Sequence, residues 1–248
     1  MKMTVIASGS AGNCYILEGR NSALILECGV SPEKLMAGST LKMSKVAGCL
    51  VTHEHGDHAG FVGRYLDLGL QVYASAGTCK ALRDGRRIRK IPPMVPFMAG
   101  EFKVFPFRAL HDAAEPLGFV ISHPELGRLL FITDSSRVPF SFADMGLDHI
   151  MIEANYSDRI LDEAVGDGTL TAERAQRVRH THMSLDTALN YIAIHESARL
   201  RTVTLLHLSS NNADAHAFQE IVQKAVMFAD VAVARPGLVV NMQGRIEL

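Results

Sequence analysis

Apolar and polar residues alternate along this chain with two different periods. Residues 3–7, 14–18 and 23–26 are short apolar runs divided by Gly, Ser and Asn, the pattern of a β-meander. Residues 49–52, 70–74, 102–109, 117–122, 128–133 and 149–152 read as further strands. Ser31-Pro32-Glu33 opens a helix within 30–45, with proline in its first turn, and 59–69 is expected to be helical. Helical spacing then dominates at 171–180, 184–199 and 214–228, alternating with strands at 202–206, 231–234 and 238–242. Thr171 and Asp214 stand where caps accept the unpaired amide hydrogens of a helix start.

Strands in both halves, each set followed by helices, predict two mixed sheets facing each other with helices outside. No Pro/Gly/Ser-rich linker, repeat or low-complexity stretch divides the sequence, so residues 1–248 are expected to form one layered α/β domain. The 248 residues are 48% hydrophobic and 21% charged, which excludes a disordered or collagen-like chain. With 25 basic against 26 acidic side chains, any polyanion must be held by a local patch. Trp is absent and aromatics are 6%, which argues against a surface that stacks many bases. Cys14, Cys28, Cys49 and Cys79 lack C-x-x-C spacing and are expected to be reduced and buried. The N-terminus is broken early by Ser and Gly and does not read as a signal peptide. No run approaches the roughly 18 apolar residues of a membrane span, so a cytoplasmic protein without a membrane partner is expected.

The chemistry concentrates in Thr52-His53-Glu54-His55-Gly56-Asp57-His58-Ala59-Gly60, directly after an apolar strand. Imidazole nitrogen and carboxylate oxygen are ligands for zinc and similar divalent ions. His53 and His55 alternate at a strand mouth and can converge on one ion. Asp57 and His58 can turn toward a second, with Gly56 allowing a sharp curl between the pairs. The competing view is a polar loop rich in histidine by chance; three His and one Asp within six residues weigh against it. Further ligands should sit at strand ends. His111 follows the run 102–110, Asp134 follows 129–133 and His207 follows 203–206.

H-x-H-x-D-H, a distant His, then Asp, then a last His resembles the metallo-β-lactamase fold hydrolases, over nearly the whole chain. The opening Ser8-Gly9-Ser10-Ala11-Gly12-Asn13-Cys14 and the ending His207-Leu208-Ser209-Ser210-Asn211-Asn212 resemble the YycJ (WalJ) subgroup, described as DNA exonucleases. Glu153-Ala154-Asn155-Tyr156, His182-Met183-Ser184 and His207-Leu208-Ser209 resemble the corresponding trio of ribonuclease Z. The resemblance implies a four-layer αββα sandwich with two divalent ions, zinc or manganese. His53, His55 and His111 would hold one ion, Asp57, His58 and His207 the other, and Asp134 would bridge them. A hydroxide between the ions would be the nucleophile, oriented by Asp57, while Glu153 and His182 would deliver a proton to the leaving oxygen. One departure is Glu27-Cys28-Gly29, where the family usually has Asp-x-Gly; the longer Glu must shift its contact.

Lys80 to Lys90 is a basic run whose Arg86, Arg87 and Arg89 are candidate substrate contacts; a solvated helix end and loop is the bland alternative. Arg174, Arg177 and Arg179 form a second stripe with the same two readings. His180 is read as a surface or core-edge residue, and His123, His149, His195 and His216 as structural. Together these features predict a dinuclear metal-dependent hydrolase, foremost a nuclease of the 5′–3′ DNA exonuclease kind, with nucleic acid as its partner. The alternatives are a hydrolase of a lactone, thioester or cyclic nucleotide, which the same ligands would serve, and a metal-binding protein without turnover.

Overall fold

The computed structural model describes residues 1–82 and 87–242. The early apolar runs become β1 (Lys2–Ala7), β2 (Cys14–Glu18) and β3 (Ala23–Leu26), paired antiparallel in sequence order. β4 (Val46–Leu50), β5 (Val72–Ala74) and β6 (Arg89–Lys90) then extend that sheet in parallel. The second sheet begins as an antiparallel meander of β7 (Phe97–Ala99), β8 (Phe102–Arg108), β9 (Leu117–His123) and β10 (Gly127–Ile132). It continues in parallel through β11 (His149–Glu153), β12 (Thr202–Leu206) and β13 (Asp230–Val233). The chain then returns to the first sheet, where β14 (Val239–Asn241) pairs with β1. Each sheet thus carries seven strands among the described residues.

The two-residue period of a strand explains why so many of these runs are apolar throughout. Leu24 and Leu26 face the core between the sheets, with Leu17, Phe119, Leu129 and Phe131. Ile25 and Ile16 face the other way, onto the helices α1 (Pro32–Ala37) and α3 (Val62–Asp67), through Leu35 and Tyr65. In the second sheet Leu130, Ile150 and Leu205 meet Ala188 and Ile192 of α7 (Leu185–His195) and Phe218 of α8 (Ala215–Ala225). The result is the expected αββα layering. A fully buried Leu or Phe contributes about 1.5–3 kcal/mol, so a sandwich apolar on both faces of both sheets is a rigid support for whatever its strand ends carry.

The expected helix over 59–69 is two pieces, α2 (Gly56–Ala59) and α3. The break has a cause: the Phe61 amide leaves the helical ladder to donate to the Cys28 carbonyl at 3.0 Å. α1 stops at Ala37 instead of running toward 45. Thr171 and Asp214 cap as expected, accepting from the amides of Arg174 and Ala217. Four elements were not expected from the sequence: β6, β7, α4 (Ala76–Ala81) and α5 (Asp158–Gly166). α5 places Ile160, Leu161, Ala164 and Val165 at helical spacing, though only Leu161 of them is fully buried. All four cysteines are free and buried. No helix of the described residues is long and apolar enough to cross a membrane.

His149, at the start of β11, is fully buried. Its Nε2–H donates to the Leu126 carbonyl at 3.1 Å, and its Nδ1 then accepts from the Thr202 hydroxyl at 2.8 Å. Burial lowers its pKa to about 4, against the opposing pull of Asp148. A histidine depressed below its unfolded value contributes full stability above about pH 6.5 and loses it as pH falls toward 4, by about 2 kcal/mol at pH 5. Urea titrations of wild type and His149→Gln should therefore converge between pH 7 and pH 5. A constant gap would contradict the buried neutral ring.

Candidate metal centre

Every candidate ligand follows the C-terminal end of a strand, and the backbone there is under tension. Glu27, Asp134 and His207 adopt φ of 69°, 46° and 53°, left-handed values that non-glycine residues rarely hold. The loop that carries the histidines lies directly on the chain after β3. Asn13 N–H donates to the Asp57 carbonyl and Cys28 N–H to the His58 carbonyl, both at 2.7 Å. Gly29 makes that approach possible, since a Cβ there would sit 1.7 Å from the Asp57 carbonyl oxygen. Gly56, expected to permit the curl, simply opens α2 with open space around it and has no left-handed φ. The glycine this loop requires is Gly29.

Hydrogen bonds behind the rings aim them. Thr52 Oγ1 donates to Glu27 Oε1 at 2.6 Å, so at 2.9 Å it must accept from His53 Nδ1–H. His53 Nε2 is left as a lone pair facing inward, with no hydrogen-bond partner. His111 Nδ1–H donates to the Thr181 carbonyl at 2.8 Å, which leaves its Nε2 as a lone pair 3.2 Å from His55 Nδ1. Glu27 is completely buried, also accepts from the Thr52 amide, and faces His58 Nδ1 at 3.4 Å. The longer side chain therefore reaches both Thr52 and His58. At the far side Ser8 Oγ accepts from the His207 amide at 2.9 Å, and Asn155 donates to the His207 carbonyl at 2.8 Å.

These constraints gather donor atoms into groups that could each hold an ion, with the atoms of each group within 4.8 Å of one another. His53, His55, His111 and Asp134 form the first, Asp57, His58, Asp134 and His207 the second, and Asp134, Glu153, His182 and His207 a third that overlaps the second. Asp134 belongs to all of them, with Oδ2 at 3.9 Å from His53 Nε2, 3.6 Å from His111 Nε2 and 3.4 Å from His58 Nε2. The donor set is nitrogen and carboxylate oxygen, suited to zinc or manganese. The unpartnered, buried His53 Nε2 is the observation that fits it to a cation.

The carboxylates act on the rings. Burial alone would make His207 less basic, but Asp134, Asp57 and Glu153 overcome it and push its pKa up to about 10. Burial opposes the charge of Asp57 and Asp134 too, yet the surrounding histidines hold both below the usual carboxylate range. His53, buried and among other imidazoles, is driven the other way and stays neutral.

Glu153 and His182 sit beside the second group. Glu153 is fully buried; its Oε2 accepts from the amides of Ser135 and Met183, and its Oε1 meets His182 Nδ1 at 2.7 Å. The His182 ring stacks on His207 at 5.4 Å and 14°. His180, two residues earlier, is exposed on α6 (Ala172–Thr181).

A cavity of about 240 Å³ opens over the cluster, lined by His55, Asp57, His111, Asp134, His182 and His207. Arg174 and Arg177 of α6 complete its wall. Arg87 and Arg89 do not line it. Arg87 pairs with Asp67 at 2.9 Å, Arg89 lies over the Tyr73 ring, and Arg86 falls outside the described residues. A larger groove of about 690 Å³ beside α8 and β13 contains none of the cluster residues.

A sequence model described as the beta-lactamase superfamily domain matches residues 27–208, from Glu27 to the residue after His207. The chain belongs to the beta-lactamase superfamily. It is a hydrolase of that superfamily, and the likeness to the YycJ (WalJ) subgroup is borne out. It is 28% identical to the exodeoxyribonuclease WalJ of Streptococcus pneumoniae over 227 residues, covering 85% of this chain and 82% of the relative. In structure it resembles the metallo-β-lactamase fold protein YhfI of Bacillus subtilis (TM-score 0.73, 19% identity, 96% of this chain and 98% of that one). It also resembles human tRNase Z, short form (TM-score 0.67, 17% identity, 98% and 99%). At those identities the two structures speak for the fold alone.

The residues that sequence reasoning passed over in this superfamily member are those behind the ligands: Ser8, Asn13, Thr52 and Asn155. Ser8 and Asn13 lay in a visible motif, but nothing in their spacing announced contacts to His207 and Asp57. Gly29→Ala tests how rigidly the loop is seated. The clash is with backbone, so the variant should lose about 3 kcal/mol or more and bind divalent ions more weakly. Denaturant unfolding near wild type would contradict the close approach.

Proposed function

We propose that residues 1–248 form one hydrolase domain, a phosphodiesterase that works with two divalent ions and removes nucleotides from an end of DNA, in the 5′–3′ direction. The observation that carries the reading is the Glu153–His182 hydrogen bond beside the ligand groups, with His182 opening on the same cavity. A proton donor there suits a substrate whose leaving group departs as an alkoxide. The similarity to a protein named exodeoxyribonuclease supports nucleic acid as the substrate and DNA as its kind. The reading sets the protein in the cytoplasm, where that substrate lies.

His53, His55, His111 and Asp134 would hold one ion, and Asp57, His58, His207 and Asp134 the other. Two such ions would offset the charge of the attacked phosphate and make the attacking water more acidic. Asp57 would orient that water. Glu153 accepts from His182 Nδ1–H and raises the ring's pKa against the effect of burial, so that as an imidazolium it also carries a proton on Nε2 for the leaving oxygen. In the reaction a water oxygen bonds to phosphorus and releases a proton to solvent, the bond to the leaving oxygen breaks, and that oxygen takes the Nε2 proton, which the ring regains from solvent. Arg174 and Arg177 would meet phosphates at the cavity, and Arg86, Arg87 and Arg89 a longer chain beyond it.

The test is incubation of metal-reconstituted protein with end-labelled single- and double-stranded DNA and RNA. Stepwise shortening of DNA is the expected result. His182→Ala and Glu153→Ala should each keep the metal content and lower kcat about 100-fold or more, with the double variant no worse than the single ones. Metal loss in His182→Ala would move that ring among the ligands. No cleavage of any polynucleotide, with efficient turnover of a lactone, thioester or cyclic nucleotide, would overturn the reading.

A further inference from the structure

A second cavity, of about 550 Å³, adjoins the first and shares Arg174, Val178, His182 and His207 with it. Its chemistry is different. The metal cavity is lined by Asp57, Asp112 and Asp134, whereas the described residues lining the second include no carboxylate. They offer instead Asn155, Thr169, Ser209, Ser210, Asn211 and Asn212, a wall of amides and hydroxyls. Leu170 and Val178 supply an apolar side. Its one arginine is Arg174, whose guanidinium has no carboxylate partner among the described residues. Arg177, one turn along, is already paired with Asp112.

We propose that this second cavity is the subsite for the terminal nucleotide of the substrate, on the leaving-group side of the cut. The claim rests on the phosphodiesterase reading above and adds the place where one nucleotide unit is held. Three features converge on that ligand. The volume lies within the range of pockets that enclose a small organic molecule. Neutral donors and acceptors beside an apolar wall suit a base and sugar, and an unpaired arginine at the junction suits the adjoining phosphate. His182, placed at the same junction, is where the leaving oxygen must take its proton. Ala164 of α5 and Arg174 and Val178 of α6 line one side of it, and the two helices are joined through Tyr156, Leu161, Ala175 and Leu170. A subsite that holds one terminal nucleotide should release mononucleotides.

The experiment is calorimetric titration of the metal-loaded protein with 2′-deoxyadenosine 3′-monophosphate and, separately, with inorganic phosphate. The nucleotide should bind at least ten-fold tighter than phosphate. Arg174→Gln should weaken it about ten-fold. Ala164→Trp, which fills the cavity from the partly exposed α5 and removes no polar group, should reduce nucleotide affinity to that of phosphate while leaving phosphate binding as it was. Equal binding of nucleotide and phosphate, or nucleotide binding indifferent to Ala164→Trp, would overturn the proposal. The same preparations are assayed on end-labelled DNA. Nucleotide binding of the expected kind with no DNA cleavage supports the subsite and sinks only the nuclease reading; DNA cleavage that releases mainly oligonucleotides overturns the subsite.

Discussion

Four carboxylates share one small volume between the two sheets, and that concentration of negative charge governs the rest of the structure. Glu27, Asp134 and Glu153 are buried and Asp57 is half-buried. Left alone, such groups would repel one another and pay the cost of leaving water. In this fold each is met by imidazoles and by backbone, hydroxyl or, for Asp57, side-chain amide donors. Asp134 lies among four rings at 3.4–3.9 Å, and Glu153 takes two amides besides His182. The balance differs by position, which is why neighbouring histidines are driven in opposite directions, His53 toward neutrality and His207 toward charge. A pair of cations would satisfy the same carboxylates while returning the rings to neutral ligands, so the ion positions and the charge distribution are two views of one arrangement.

Holding that arrangement costs conformational strain. Three non-glycine residues with left-handed φ stand at strand ends around it, and the ligand loop is pressed onto Gly29 with no room for a methyl group. Each strained residue costs on the order of 1–3 kcal/mol. The sandwich offsets this with three continuous apolar layers, one between the sheets and one beneath each helical face. Rigidity in those layers is also what lets side chains from β4, β8, β10, β11 and β12 meet within hydrogen-bonding range although they are far apart in sequence.

Much of this was legible in the chain itself. The alternating apolar runs announced the strands, and His53, His55, Asp57 and His58 announced the chemistry, because ligand spacing within a loop is a local property. His111, Asp134 and His207 were found through their place after apolar strands, and the structure brings them beside the first four. What escaped was what depends on distant segments meeting. Thr52 looks like any strand-end hydroxyl until Glu27 and His53 are seen on either side of it. α5 is the exception, since Ile160, Leu161, Ala164 and Val165 fall at helical spacing and were readable in the chain. The basic run drew attention by its density, yet Arg87 pairs with Asp67, while Arg174 and Arg177, less conspicuous in sequence, line the cavity.

The central claim is that Asp134 is shared by two cation sites. The direct measurement is elemental analysis of divalent metal per chain, after reconstitution and removal of free ions, for wild type, His53→Ala and Asp134→Ala. The account predicts close to two ions in wild type, about one in His53→Ala and fewer than one in Asp134→Ala, with all three folded by circular dichroism. One ion in the wild type with no weaker second site, or full metal content in a folded Asp134→Ala, would contradict it.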